Sequence, residues 1–448
     1  MPLSSGSSSR GASALVNPPG QRIAVVGAGI AGLSAAWLLS RQHRVTLFEA
    51  NDYLGGHTHT VDVTLDGVTA PVDTGFLVFN DRTYPNLIAL FAELGIASAA
   101  SDMSFSVRLE SEGVEWAGSD LDAVFAQRRN LLRPAFWGML ADILRFNREA
   151  TASARGGPHG GAQTLGVFLE AGRYGAAFRD WYLLPMAGAI WSCPANAMLD
   201  YPAQTFFRFC DNHGLLQVSN RPQWRTVLGG ARSYVARLAA AIPDVRAATP
   251  VAAIRREAGG AVLVTGDGSE RFDAVVLACH SDQALRLLTD ADAAEHEVLA
   301  AIPYQDNEVV LHTDTDFLPR RRKAWSAWNY HASALTDADR PVGVSYLINK
   351  LQPLPFSQPV IVTLNAAEAP RAACVIDRYR YAHPVFGAGS NAAQSRLPQL
   401  QGKRNTWFCG AWTGYGFHED GLKSGLAVAE GFGITAPWRC QQTLKAAA

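Results

Sequence analysis

Residues 23–49 read IAVVGAGIAGLSAAWLLSRQHRVTLFE, and the expected fold follows from this stretch. The apolar run Ile23–Val26 predicts a buried parallel strand, and Val45–Phe48 predicts a second one. Between them, Gly27-Ala28-Gly29-Ile30-Ala31-Gly32 predicts a tight turn that leads into a helix. A strand, a glycine turn, a helix and a second strand in this order are typical of a dinucleotide-binding βαβ unit.

Each glycine of the turn has a separate task. Gly27 permits the tight turn, Gly29 lets the backbone approach a pyrophosphate, and Gly32 lets the helix pack closely on the strand. The helix N-terminus offers free N–H groups to the phosphates. Glu49, which ends the second strand 17 residues after Gly32 (49 − 32), can accept both ribose hydroxyls of an adenosine. The contacts predicted in this unit are Gly27, Gly29, Ile30, Ala31, Gly32, Glu49 and Ala50.

This unit alone leaves NAD and FAD open as cofactors, and later segments favour one of them. The segment 55–58, Gly-Gly-His-Thr, would let the chain pass close to the phosphates, and residues 73–78 predict a strand with a close-approach glycine. Residues 407–411 and 416–427 predict a strand, a glycine-rich turn and a helix whose N-terminus could face an electron-rich ring. The predicted contacts in the middle segments are Gly55, Gly56, His57, Thr58, Gly75, Phe76 and Leu77.

At these residues the sequence resembles the flavin-containing amine oxidase superfamily, which includes monoamine and polyamine oxidases, phytoene desaturases and protoporphyrinogen oxidase. The resemblance implies FAD as the cofactor, with the last helix pointing its N-terminus at the flavin pyrimidine ring. It implies that the backbone at Val251 lies on the adenine side, and that His57 stands where relatives carry an arginine near the pyrophosphate. The contacts implied around the flavin are Gly410, Asp420, Gly421 and Leu422. The matching residues are Gly27-x-Gly29-x-x-Gly32, Glu49, Gly55-Gly56, Phe408-x-Gly410 and Glu419-Asp420-Gly421-x-x-Ser424-Gly425.

Three shorter strings are similar to a bacterial subgroup of predicted NAD/FAD-binding proteins. Members of that subgroup are associated with methyltransferases that resemble cyclopropane-fatty-acid synthase. The association implies a hydrophobic or lipid substrate and a lipid methyltransferase as a partner. The strings are Trp191-Ser192-Cys193-Pro194, Tyr381-Ala382-His383-Pro384 and Gly416-Phe417-His418-Glu419-Asp420-Gly421.

The predicted fold class is α/β combined with α+β. A discontinuous Rossmann-like FAD-binding domain is expected beside a substrate domain of mixed sheet and helices, the first part of which includes a helix at 131–146. The FAD-binding domain is assigned to residues 21–101, 225–300 and 401–433, the substrate domain to 102–224 and 301–400, a disordered tail to 1–20, and a C-terminal tail to 434–448.

The sequence offers few candidates for catalysis, since a flavin would supply the hydride chemistry itself. His418 and Glu419 lie on the turn expected at the flavin, either to touch substrate or to hold the turn by hydrogen bonds. Phe417 falls where amine oxidases carry one tyrosine of an aromatic cage. Those enzymes also place a lysine beside flavin N5, and the matching stretch 303–311 contains none. His57 and His59 at i, i+2 spacing are a weak metal pair, so no metal is predicted.

Composition and charge indicate which partners and which cell compartment to expect. A net charge of −1 gives no general attraction to nucleic acid, and six scattered cysteines favour a reduced, cytoplasmic protein. Basic and aromatic residues occur together at 128–137 and at 317–325. These stretches are typical of a solvated basic surface, with peripheral contact to the inner membrane face as the alternative.

The leading function is an FAD-dependent oxidoreductase that desaturates, dehydrogenates or isomerises a hydrophobic, fatty-acyl substrate. The alternatives are an amine oxidase that produces peroxide and a non-catalytic flavin-binding partner of a lipid-modifying enzyme. Only one G-x-G-x-x-G is present. Electrons would therefore pass to oxygen, a quinone or a partner, unless the reaction is redox-neutral.

Overall fold

The structure is a computed structural model that describes residues 18–156, 163–191, 194–217, 220–333 and 343–440. Most of the predicted N-terminal tail lies outside the described residues, as do Cys193 and the last eight positions of the predicted C-terminal tail.

Strands and helices alternate along the described ranges. The strands are β1 Arg22–Val26, β2 Arg44–Phe48, β3 Thr60–Leu65, β4 Val68–Asp73, β5 Phe79–Asn80, β6 Ser98–Ala100, β7 Phe105–Leu109, β8 Val114–Ala117, β9 Trp224–Val227, β10 Asp244–Arg246, β11 Val251–Glu257, β12 Gly260–Thr265, β13 Gly268–Phe272, β14 Ala274–Leu277, β15 Tyr304–His312, β16 Trp328–Ala332, β17 Val344–Leu347, β18 Ile361–Leu364, β19 Val375–Pro384 and β20 Thr406–Phe408. The helices are α1 Ile30–Leu39, α2 Pro85–Leu94, α3 Leu121–Val124, α4 Pro134–Ala154, α5 Leu165–Ala171, α6 Ala176–Phe178, α7 Leu184–Trp191, α8 Ala195–Leu199, α9 Ala203–Asn212, α10 Arg232–Ala239, α11 Ser281–Leu287, α12 Ala293–Leu299, α13 Ile348–Leu351, α14 Ala388–Arg396 and α15 His418–Gly431.

The first of the two large sheets is a five-stranded parallel sheet with the strand order β10-β2-β1-β14-β20. Its central strands are apolar on both faces because two separate cores cover them. Ile23 and Val25 face α1, α10 and α15, whereas Ala24 and Val26 face the β11–β13 sheet and α12. This arrangement is a doubly covered parallel sheet, and it confirms the α/β part of the predicted fold.

The second large sheet is a seven-stranded mixed sheet with the strand order β19-β15-β18-β17-β16-β7-β8. Only the β16–β7 pair is parallel among its pairings. Helices from α4 to α9 pack in an aromatic core of their own beside it. Mixed sheet plus helices is the architecture predicted for the second domain, although the exact domain boundaries stay a prediction.

Two local predictions need correction. The strand expected at 73–78 ends at Asp73, because the following chain turns to run beside residues 57–59, where Phe76 N donates to His57 O at 2.7 Å. The helix expected at 131–146 is α4, which begins at Pro134 because proline suits the first helical turn.

The C-terminal boundary is also different from the prediction. Ile434 and Ala436 are buried in the core, and the Trp438 ring stacks on Trp37 with centroids 6.3 Å apart. These residues therefore belong to the folded body and not to a tail. Across the described ranges, every helix is too short or too polar to cross a membrane.

Candidate functional site

The space at the carboxyl ends of β1, β2, β14 and β20, between the turns that follow them, is called the crevice below. Since these strands are parallel, their carboxyl ends meet at one edge of the sheet, which is where doubly wound folds bind ligands. Helices α1 and α15 pack side by side and in the same direction. A Cβ at Gly421 would lie 2.8 Å from Ile30 Cγ2, and one at Gly425 would lie 2.3 Å from Ser34 Oγ. Both positive helix ends are thus directed to the same edge.

The first glycine turn has the geometry that a close phosphate contact requires. Gly27 has a φ of +103°, which favours glycine. A Cβ at Gly32 would lie 1.9 Å from Gly27 O, so only glycine permits this packing of α1 on the turn. At Gly29 no atom lies within 4 Å of such a Cβ. The space directly over Gly29 is therefore open to a ligand.

The second glycine pair lies against the first turn. Gly55 N donates to Ala28 O at 2.9 Å, and a Cβ at Gly56 would come within 3.3 Å of Gly29 Cα. Gly75 closes the loop from the other side, because its Cβ would lie 2.2 Å from His57 O. The three segments predicted to approach the cofactor are thereby brought together.

Glu49 lies at the end of β2, almost completely buried, and its carboxylate is fixed by backbone amides. Its Oε2 accepts from Ala28 N at 2.8 Å and its Oε1 accepts from Asn51 N at 2.9 Å. The main chain at Thr249 binds Glu49 O at 2.8 Å, which brings Val251 to the same edge. A carboxylate oxygen has two acceptor positions, so both oxygens can still accept from a ribose.

Some predicted contacts present only backbone to the crevice. The side chains of Ile30, Leu77 and Leu422 are buried in hydrophobic cores, whereas Ala50 is exposed. Gly410 follows β20, and its N–H donates to Ser424 Oγ at 2.9 Å. The remaining predicted contacts of α1, including Ala31, are buried in its first turn.

His57 carries an unpaired polar atom at the crevice. Its Nε2 is shielded from solvent and has no hydrogen-bond partner within the described ranges. The rings of His383 and Tyr381 lie 5.2 and 5.3 Å from it, and His280 lies 6.2 Å away. Burial, reinforced by these histidines, holds the pKa of His57 well below its usual range. A buried polar atom without a partner, next to the glycine pair that packs on the first turn, fits a site that a bound dinucleotide completes.

His418 starts α15 and is held between three neighbours. Its ring stacks on Phe76 with centroids 3.8 Å apart, and its Nε2 hydrogen bonds with Tyr234 Oη at 2.7 Å. Thr58 Oγ1 lies 2.5 Å from the same Tyr234 hydroxyl. Burial lowers the pKa of His418 to about 3, so this imidazole is neutral near pH 7.

The two carboxylates after His418 serve the protein itself. Glu419 is 3% exposed and accepts from Asn86 N, Asn86 Nδ2 and Leu87 N at 2.7–3.0 Å, which caps α2. Asp420 Oδ2 accepts from Tyr415 N and Phe417 N at 3.1 and 3.2 Å. Burial raises the pKa of both groups. These bonds favour the structural alternative over catalysis by Glu419.

Phe417 belongs to a wall of stacked rings that sequence reasoning did not identify. Phe209 stacks on Phe417 with centroids 5.1 Å apart and on His213 with centroids 4.0 Å apart, and His213 lies 6.5 Å from Trp224. This ring wall borders a cavity of about 480 Å³ beside the start of α15. The sequence does not reveal this group of rings, because Phe417 lies some two hundred positions after Phe209 and His213.

Comparisons with known proteins agree with this geometry. The model of the family described as flavin containing amine oxidoreductase matches residues 30–431. A Mycobacterium tuberculosis protein provisionally named flavin-containing monoamine oxidase AofH is 27% identical over 353 residues, 74% of this chain and 72% of its own. Carotenoid phi-ring synthase of Streptomyces griseus is 30% identical over 288 residues, 59% of this chain and 53% of its own.

Solved structures share the fold. A fatty acid isomerase from P. acnes that produces CLA superposes with a TM-score of 0.65 at 16% identity, over 92% of this chain and 98% of its own. A putrescine oxidase variant gives 0.67 at 17% identity, over 93% and 99%. The predicted resemblance and the predicted cofactor are confirmed, whereas the subgroup linked to cyclopropane-fatty-acid synthase stays a prediction. The chain belongs to the flavin-containing amine oxidoreductase family and is an FAD-dependent oxidoreductase.

Proposed function

We propose that this oxidoreductase removes hydride from, or shifts a double bond in, a hydrophobic, fatty-acyl substrate. The observation that carries the proposal is the ring wall along the cavity beside the start of α15. Burial lowers the pKa of His213 in this wall to about 4, so the ring is uncharged near pH 7. An uncharged aromatic surface binds apolar chains through buried area.

The protein positions the cofactor and the substrate and sets their surroundings, whereas FAD, when bound, accepts the hydride. Glu49 would bind the ribose, Gly29 would admit the pyrophosphate, and His57 Nε2 would hydrogen bond with the cofactor. Phe417 would hold the substrate against the wall and exclude water. Names of two similar proteins, a carotenoid phi-ring synthase and a fatty acid isomerase, agree with an apolar substrate class.

Amine oxidation is the second candidate, since other similar proteins carry the names of amine oxidases. Two features disfavour it. Strand β15 contains no lysine, and Phe417 lacks the hydroxyl of the cage tyrosine. In addition, Glu419 and Asp420 accept backbone amides instead of presenting free carboxylates to an ammonium group.

The test exposes FAD-loaded protein to an unsaturated fatty acid, a polyene and a polyamine under anaerobic conditions. Bleaching of the flavin absorbance, or a moved double bond found by mass spectrometry, is expected with the first two. Bleaching by the polyamine alone, with peroxide after air is admitted, would establish the amine oxidase instead. A flavin that no compound reduces, with every compound unchanged, would establish the non-catalytic binding partner.

We also propose peripheral contact with an anionic membrane. The two basic stretches meet in the fold, because Asp122 binds both Arg128 and, at 2.5 Å, Lys323. Exposed apolar side chains surround this point: Leu132 is 87% exposed, Leu121 is 78% and Trp137 is 50%. Apolar side chains beside basic ones are suited to the interface of an anionic bilayer.

Vesicle sedimentation tests the membrane proposal. Wild-type protein should co-sediment with phosphatidylglycerol vesicles in low salt and be released in high salt. Leu121→Ser with Leu132→Ser should weaken sedimentation, whereas Val68→Ser, at an exposed position on the β3–β4 hairpin, should not. Equal sedimentation of all variants would refute this surface. A lipid methyltransferase as partner stays a prediction of the resemblance, and co-purification of the two proteins tests it.

A further inference from the structure

The cavity beside the start of α15 is lined by charged side chains that differ in the partners they bind. Three cationic side chains and three carboxylates line it, so the lining is neutral in sum. The charge that is open to a ligand depends on which carboxylates already have hydrogen-bond partners. A carboxylate that is already bound does not compete with a ligand for a cation. The cations are Arg82, Arg155 and Lys423, and the carboxylates are Asp211, Glu419 and Asp420.

All three carboxylates have partners. Arg155 binds Asp211 through Nε and Nη2, each at 3.2 Å. Glu419 caps α2, and Asp420 accepts two amides of the turn before α15. Burial raises the pKa of Glu419 and Asp420.

Arg82 differs from Arg155 because its partners are neutral. Its guanidinium donates to Gln217 Oε1 at 3.4 Å and to Asn220 O at 3.3 Å, and no carboxylate binds it within the described ranges. Its backbone is fixed, since the buried Asn80 accepts from Arg82 N at 2.9 Å and from Thr83 N at 2.8 Å. A positioned guanidinium with weak neutral partners can accept an incoming anion without breaking an ion pair.

The ring wall continues from the region of Arg82 toward the start of α15. His213 and Phe417 line the same cavity as Arg82, and Gly214 approaches the Arg82 guanidinium so closely that a Cβ there would lie 3.5 Å from Nη1. Apolar surface therefore adjoins a guanidinium that no carboxylate binds within the described ranges. A ligand with one anionic end and an apolar body matches both features.

We propose that Arg82 binds the anionic head group of an acyl chain whose apolar part lies along the ring wall. This inference rests on the proposed fatty-acyl function and adds a recognition point to it. Either a fatty acid carboxylate or a lysophospholipid phosphate has the required chemistry. Arg82 is thus a specificity-determining residue, and neutral esters of the same chain should bind poorly.

The test measures binding to FAD-loaded protein through ligand-induced changes in the flavin spectrum, with oleate, methyl oleate and lysophosphatidate as probes. Oleate should bind wild-type protein more tightly than methyl oleate. Arg82→Ala should weaken oleate binding about tenfold or more, because a charge-assisted pair is lost. Arg82→Lys should retain part of the affinity, and Arg286→Ala, an exposed arginine on α11, should retain all of it.

The outcomes separate the two proposals. If oleate and methyl oleate bind wild-type protein equally, or if Arg82→Ala weakens both equally, the head-group proposal is overturned and the fatty-acyl function survives. If neither probe nor lysophosphatidate binds, both proposals fall. Tighter binding of lysophosphatidate with the same dependence on Arg82 supports the anion site and identifies phosphate as its source. Unchanged flavin content in each variant verifies the fold.

Discussion

The Glu49 carboxylate already binds Ala28 N and Asn51 N, so it is oriented before any ligand arrives. Glu49→Ala should weaken FAD binding, by about 1.5–3 kcal/mol for each charged hydrogen bond to the ribose that is lost. Titration of apoprotein with FAD measures the effect. Glu297→Ala, an exposed glutamate that pairs with Arg396, is the control and should bind FAD normally. Unchanged affinity in Glu49→Ala would place the ribose contact elsewhere.

A substitution at Gly29 distinguishes an effect on ligand binding from an effect on folding more clearly than a substitution at Glu49 does. A side chain there meets only open space, so Gly29→Val should fold and yet lose FAD because the valine occupies the position of the pyrophosphate. Absorbance of the purified protein at flavin wavelengths gives the retained fraction. Gly138→Val on α4, where a Cβ is equally unobstructed, should retain FAD. A yellow Gly29→Val protein would contradict the assignment.

A structural role of Glu419 and a catalytic role of Glu419 predict different experimental results. Glu419→Ala leaves the amides of Asn86 and Leu87 without their acceptor and should lower the free energy of unfolding by roughly 1–3 kcal/mol. Urea denaturation measures this loss. Glu419→Gln should recover part of the stability. A large loss of turnover with unchanged stability would restore the catalytic role predicted from sequence.

At the scale of elements, the contact between α1 and α15 determines the crevice. Gly425→Ala should push the helices apart, since the new Cβ would meet Ser34 Oγ at 2.3 Å and Ala31 O at 2.4 Å. Both thermal stability and FAD retention should fall, because the two positive helix ends lose their alignment. Ala427→Leu, on the exposed side of α15, should change neither. Normal retention in Gly425→Ala would show that the helix ends do not act together.

Elements whose signals are local could be predicted from the sequence. The strand at Arg22–Val26 and helix α1 carry their apolar runs and glycines within a few residues, so their bounds were predicted almost correctly. The strand expected at 73–78 was wrong because its residues bond to the backbone of His57, which no local pattern reveals. Arg82 and His213 were missed for the same reason, since the cavity they share with Phe417 exists only in the fold.

At the scale of the whole molecule, buried histidines link stability to pH. Burial lowers the pKa of His213, His312 and His383 to about 4 and that of His418 to about 3, and it lowers the pKa of His57 well below its usual range. In the unfolded chain these groups take up protons near pH 6.5, so below that pH the unfolded state binds more protons. Their contribution to stability is present above this pH and is lost as the pH falls toward 4.

Denaturation midpoints should therefore decrease steadily between about pH 7.5 and pH 5, before most carboxylates titrate. His312→Gln, in β15, removes one of these groups and should make the decrease shallower. A midpoint that stays constant over this range would contradict the expected neutral state of the histidines.

Because α15 packs on α1, the packing of α1 is completed by a helix that begins 388 residues later in the chain (418 − 30). At about 5–20 residues per second, roughly 20–80 s of translation separate the synthesis of the two helices. During that interval Ile30, Ala31 and Ser34 of α1 lack the α15 glycines that pack on them, and β20 is missing from the sheet for most of it. The crevice therefore stays incomplete until α15 has been synthesised, and FAD meets its full set of contacts only after that point.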